Sequence, residues 1–150
     1  MFQSVAHIGL TVSDLDRSVA FYQNVLGCAY VGEMSMGGPE TAALFQRPGC
    51  SARVAYLRTK DENAPLVELI QFTDLPSEVG EPNLFQTSIS ELCFLTEDID
   101  AEYERLKQLG VDFLSAPQTF DSTAYGFGKS RAVYLRDLDR NILELIQPLD

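Results

Sequence analysis

The chain has 150 residues, 22 of them acidic and 11 basic, for a formal net charge of −11. With 45% hydrophobic and 22% charged residues, the composition is that of one globular domain or two small modules sharing a core, which argues against disorder. The negative balance argues against nucleic acid or an anionic membrane as partner, and it also keeps a soluble protein dispersed.

The first element in chain order is HIGLTVSDLDRSVAFYQNVLG, from His7 to Gly27. An alternating strand-like run gives way to a helical pattern in which Leu15, Val19, Tyr22 and Leu26 share one face. Asp14 sits where an N-cap belongs and Gly27 where the chain leaves the helix. The Gly-Gly-Pro run at 37–39 reads as a loop, RVAYLRT (Arg53 to Thr59) and VELIQF (Val67 to Phe72) as strands, and Pro76 to Pro82 as a loop.

The same plan then repeats. ELCFLTEDIDAEYERLKQLG, from Glu91 to Gly110, aligns with the opening segment at an offset of 84 residues, with Asp98 as N-cap, Ile99, Tyr103 and Leu106 as helix stripe, and Gly110 as exit. RAVYLRD (Arg131 to Asp137) matches RVAYLRT, and LELIQP (Leu143 to Pro148) matches VELIQF at an offset of 76, so the modules differ by an eight-residue change in loop length. The expected organisation is α+β: two tandem βαβββ modules at 1–74 and 89–150, joined by a linker at 75–88.

Four ionisable residues occupy repeat-related places among apolar neighbours: His7 and Glu91 on the opening strands, Glu68 and Glu144 on the closing strands. Strand alternation turns Glu68 and Glu144 away from Val67, Leu69, Leu143 and Leu145. Taken singly, such a Glu reads as a solvent-facing residue and His7, the only histidine, as either a packed residue or a ligand. Together, one imidazole and three carboxylates make a suitable set for Fe²⁺, Mn²⁺, Ni²⁺, Co²⁺ or Zn²⁺, without the thiolates of a structural zinc site. Cys28, Cys50 and Cys93 form no CxxC pair and are expected to be buried free thiols.

The paired modules, the opening HIGLTVSDLDRSVAFYQNVLG and the closing RAVYLRDLDRNILELIQ resemble the vicinal oxygen chelate superfamily, which includes glyoxalase I, methylmalonyl-CoA epimerase, extradiol dioxygenases, and fosfomycin and bleomycin resistance proteins. The resemblance implies that each module curls its sheet into half of a cup, with a divalent metal ion held by His7, Glu68, Glu91 and Glu144. Glu91 departs from the family pattern, which usually has histidine there, and this gives a more anionic, harder site or a degenerate one without metal. In the loop DLDRN, Leu138 and Arg140 depart from the common Asp-Pro-Asp-Gly-Asn.

The chemistry implied is bidentate chelation of adjacent oxygens on a small substrate, as in a lyase, isomerase or epimerase, with Glu68 or Glu144 as catalytic base. The rival is a non-catalytic binding protein of the bleomycin-resistance kind; dioxygenase activity is disfavoured by the single histidine. Arg53, Tyr125, Lys129 and Arg131 are the candidate substrate-binding residues, with Arg58 bracketing the same strand as Arg53, and Phe45, Phe120, Phe127 and Met36 are candidates to line the cup. The chain lacks the basic and long apolar regions of a signal peptide and any run near the roughly 20 apolar residues of a spanning helix. A cytoplasmic homodimer is expected.

Overall fold

The structure, a computed structural model, describes residues 3–78 and 80–149. The chain divides into two compact units, Met1–Gly80 and Glu81–Asp150, the division falling inside the 75–88 segment. No helix among the described residues is long and apolar enough to cross a membrane.

The first unit runs β1 (His7–Thr11), α1 (Leu15–Asn24), β2 (Ala29–Met36), α2 (Pro39–Leu44), β3 (Ala52–Arg58) and β4 (Leu66–Phe72). Its sheet has the order β1-β4-β3-β2, with β1 parallel to β4 and the other neighbours antiparallel. Asp14 caps α1 by accepting from the Arg17 amide, and Gly27 leaves the helix at φ 76°, a left-handed conformation glycine adopts without penalty. α1 lays Leu15 and Tyr22, both fully buried, on a sheet face made by Ala55, Leu57, Val67 and Leu69. That apolar burial is the main stabilising term of the unit.

The second unit runs β5 (Leu92–Leu95), α3 (Ile99–Gln108), β6 (Asp112–Phe113), β7 (Gln118–Asp121), a 3₁₀ turn (Thr123–Tyr125), β8 (Lys129–Arg136) and β9 (Ile142–Leu149). Its sheet has the order β5-β9-β8-β6, with β7 also on β8. Asp98 caps α3 through the Ala101 amide, and Ile99 and Leu106 meet Val133, Leu135 and Leu143 in the core.

Each unit is thus a βαβββ module with one local elaboration. In the first, the Gly-Gly-Pro run does not end in a loop: Gly38 at φ 86° delivers Pro39 to the first turn of α2, a position where proline's missing N–H costs nothing. Six residues are too few for a helical period to register in the sequence. In the second, the strand after the helix is broken into β6 and β7 around Ser115-Ala116-Pro117. Proline cannot donate to a ladder.

The repeated x-Glu-Leu-Ile-Gln strands have a structural role beyond their alternation. Gln71 accepts from the Leu15 amide at 2.9 Å and donates to the Ser13 carbonyl at 3.2 Å. Gln147 does the same for Ile99 at 3.0 Å and Glu97 at 2.7 Å. Each glutamine closes the strand-to-helix turn of its module by satisfying an amide at the helix start. In the DLDRN turn, buried Asp137 accepts from the Asp139 and Asn141 amides. Arg140 takes φ 67° there, where the common motif has glycine, and pairs with Glu81 at 3.1 Å.

Candidate functional site

Register and alternation give each sheet two faces. In the first unit, Ala55, Leu57, Val67, Leu69 and Gln71 lie toward α1, and the residues between them point the other way. Glu68 pairs with Gly9 on β1 and with Tyr56 on β3, so His7, Gly9, Tyr56 and Glu68 share the face away from the helix. His7 is therefore not a packed core residue. Its side chain is 45% exposed, against 12% for Glu68.

On this face His7 Nε2 lies 3.5 Å from Glu68 Oε2, longer than a good hydrogen bond. The Tyr56 hydroxyl donates to the other oxygen, Glu68 Oε1, at 2.7 Å, and the imidazole and phenol rings are 5.9 Å apart. The hydrogen bond to the Glu68 carboxylate, then burial, holds the Tyr56 hydroxyl above its ordinary pKa. Gly9 completes the arrangement by what it lacks: a Cβ there would stand 2.9 Å from Glu68 Oε2.

The second unit repeats the frame with one change. Glu144 pairs with Tyr134 on β8 and with Cys93 on β5, away from Leu143, Leu145 and α3. Cys93 thus stands where the first unit has Gly9. Desolvation, a hydrogen bond to Glu144, and the charges of Glu144 and Glu91 push its thiol up to about 12, so it is a protonated donor at neutral pH. Desolvation and then the charges of Glu144, Glu91 and Cys93 raise Tyr134 as well. Cys28 and Cys50 are buried as expected, but Cys93 is exposed: it lies on the face without a helix, where burial does not follow from strand membership.

His7 and Glu68 are therefore brought together in one unit, and Glu91 and Glu144 share the surroundings of Cys93 and Tyr134 in the other. No group of three or more His, Cys, Asp or Glu side chains arranged to hold an ion occurs within either unit among the described residues.

The substrate-binding candidates sit elsewhere. Arg53 alternates onto the helix side, donating to Asp16 on α1 at 2.8 Å and to Glu33 on β2 at 2.8 Å. Arg131 repeats this with Asp100 on α3 at 2.7 Å and Thr119 at 3.0 Å. Lys129 has the same parity on β8 and pairs with Asp121 at 3.4 Å. Tyr125 is in the 3₁₀ turn, 80% exposed. Tyr56, Tyr134 and Gly9 carry no mark as site residues in the sequence, and Cys93 reads there only as a buried thiol, although RVAYLRT and RAVYLRD align the two tyrosines.

The family model described as Glyoxalase/Bleomycin resistance protein/Dioxygenase superfamily matches residues 4–145. The uncharacterized protein YwbC of Bacillus subtilis (strain 168) is 25% identical over 149 residues, covering 98% of this chain and 99% of that protein. The crystal structure of a glyoxalase family protein from Bacillus cereus superposes with a TM-score of 0.83 at 19% identity, covering 100% of this chain and 97% of the other. That of the fosfomycin resistance protein FosX from Listeria monocytogenes, complexed with Mn(II) and sulfate, superposes with a TM-score of 0.60 at 20% identity, covering 99% and 95%. At these identities the two structures speak for the fold.

Proposed function

From the premise that this chain belongs to the Glyoxalase/Bleomycin resistance protein/Dioxygenase superfamily, we propose that it is a metal-dependent enzyme, glyoxalase-like in chemistry, acting on a small oxygenated molecule. The observation that carries the reading is the His7–Glu68 pair: a nitrogen and an oxygen donor 3.5 Å apart, with the second carboxylate oxygen already occupied by Tyr56. Two donors that close without a good hydrogen bond between them suit a shared cation. His7, Glu68, Glu91 and Glu144 are the proposed ligands, a mostly oxygen set suited to Mn²⁺, Fe²⁺ or Co²⁺, with Ni²⁺ and Zn²⁺ as alternatives.

When bound, a divalent ion supplies Lewis acidity to two adjacent substrate oxygens. The chain supplies the rest. Glu144, in register with Cys93 and Tyr134, or Glu68, hydrogen-bonded by a phenol, takes the proton from the carbon next to the substrate carbonyl and returns it. Since Arg53, Lys129 and Arg131 alternate to the helix side of their sheets and are held in ion pairs, substrate contacts are reassigned to Tyr56 and Tyr134, with exposed Met34 and Leu95 on the same faces. On each of these faces by itself, a tyrosine beside an exposed apolar side chain favours an uncharged or weakly charged substrate with an apolar body. A homodimer, checked by light scattering, is part of the proposal.

The exposed apolar side chains on these faces also favour a second reading, a binding protein without catalysis. Solvent exchange separates the two. Metal-loaded protein incubated in D₂O with a panel of small α-hydroxycarbonyl and dicarbonyl compounds should catalyse deuterium entry at the carbon beside the carbonyl, and Glu144→Gln or Glu68→Gln should abolish it. Binding of a compound without any exchange would overturn the enzymatic reading.

A further inference from the structure

We propose that Tyr56 is a positioning residue for Glu68, working with the absence of a side chain at Gly9 to turn Glu68 Oε2 toward His7. The inference rests on the ligand assignment above for its consequence in metal binding, but its geometric content is independent of any metal. Three restraints converge on one carboxylate. Tyr56 holds Oε1 at 2.7 Å, His7 Nε2 faces Oε2 at 3.5 Å, and the Cβ that any other residue would bring to position 9 falls 2.9 Å from Oε2. Gly9 is not among the glycines with positive φ, so its need is for space and not for backbone freedom.

The second unit provides the internal contrast. Tyr134 stands across from Glu144 as Tyr56 does from Glu68, with Cys93 at the register position of Gly9, but among the described residues the Tyr134 hydroxyl makes no hydrogen bond to Glu144, and desolvation and neighbouring charges alone raise its pKa. Glu144 therefore does not depend on its tyrosine for orientation. A tyrosine acting only as sheet packing would matter equally in the two units; a positioning tyrosine matters in the first alone.

The test compares Tyr56→Phe with Tyr134→Phe, each keeping the ring and losing only the hydroxyl, in full-length protein whose fold is checked by circular dichroism. His7 is the only histidine, so its imidazole signals are unambiguous in an NMR spectrum of metal-free protein. Tyr56→Phe should shift them, as should Gly9→Ala, and Tyr134→Phe should leave them in place. Mn²⁺ titration should show affinity weakened about ten- to hundredfold by Tyr56→Phe, the usual cost of removing a hydrogen bond that orients a ligand, and changed less than about threefold by Tyr134→Phe. Unmoved His7 signals in Tyr56→Phe, or equal losses of affinity in the two variants, would overturn the inference. Wild-type protein that binds no ion would defeat the metalloenzyme reading, while the His7 signals still decide the role of Tyr56.

Discussion

His7 shows how far a residue's chemistry follows from its place in a strand. In the sequence it reads as either a packed residue or a ligand, matched by the repeat to Glu91; strand alternation in the structure turns it away from Ile8 and Leu10, half exposed beside Glu68. Truncation therefore opens no sealed cavity: His7→Ala should cost less than about 1 kcal/mol in metal-free protein, against 2 or more for a core residue, as read from urea midpoints. The same variant should lose metal affinity. Glu68 and Glu144 were legible by the same alternation, because a carboxylate among apolar neighbours breaks the pattern. Tyr56 was not. A tyrosine in a strand is ordinary β-sheet composition, and its partner becomes visible only once the register of β3 on β4 is known. Arg53 and Arg131 show the same limit: an arginine in such a strand suggests an anion, and only the structure shows that parity puts both on the helix side, paired with Asp16 and Asp100.

Among elements, the strongest sequence signal was the repeat, and the residues that made it recognisable turn out to be structural clamps. Gln71 and Gln147 each hold the turn before a helix, and Asp16 and Asp100 each receive an arginine from the penultimate strand. Gln71→Ala and Gln147→Ala should each destabilise by about 1–2 kcal/mol, because each leaves an amide at a helix start without its acceptor. The double variant should show the sum, since the two glutamines share no partner. Denaturant midpoints of the three variants measure this. The Asp16–Arg53 contact has a defined pH dependence. The Arg53 guanidinium, first by hydrogen bond and then by charge, holds Asp16 below the ordinary carboxylate pKa. A carboxylate with a lowered folded pKa adds stability above its unfolded value, near 4, and that stability is lost as pH falls through the folded value. Asp16→Asn should therefore lower Tm slightly at neutral pH and converge with wild type in acid; a difference that grows in acid would contradict the pairing. The elements the sequence concealed were α2 and the split into β6 and β7. Both are too short for a periodic pattern to register over them.

For the whole molecule, the two-module plan was legible because the offsets of opening and closing strands differ by only eight residues, a difference that a local elaboration such as α2 takes up without changing the order of the strands. The net charge of −11 acts at this scale too. Like charges oppose the compact state, so raising NaCl from about 0.02 to about 0.5 M should raise Tm through screening, and a fall would mean that the ion pairs outweigh the repulsion. The same excess of carboxylates favours divalent cations, which makes selectivity the sharper issue. The account stands on His7 and Glu68 holding an ion, and equilibrium titration of stripped protein with Mn²⁺, Ni²⁺ and Zn²⁺ tests that directly. It predicts a single tight ion per chain for at least one metal, lost in both His7→Ala and Glu68→Gln; a stoichiometry near zero for all three, or tight binding unchanged in both variants, would contradict it.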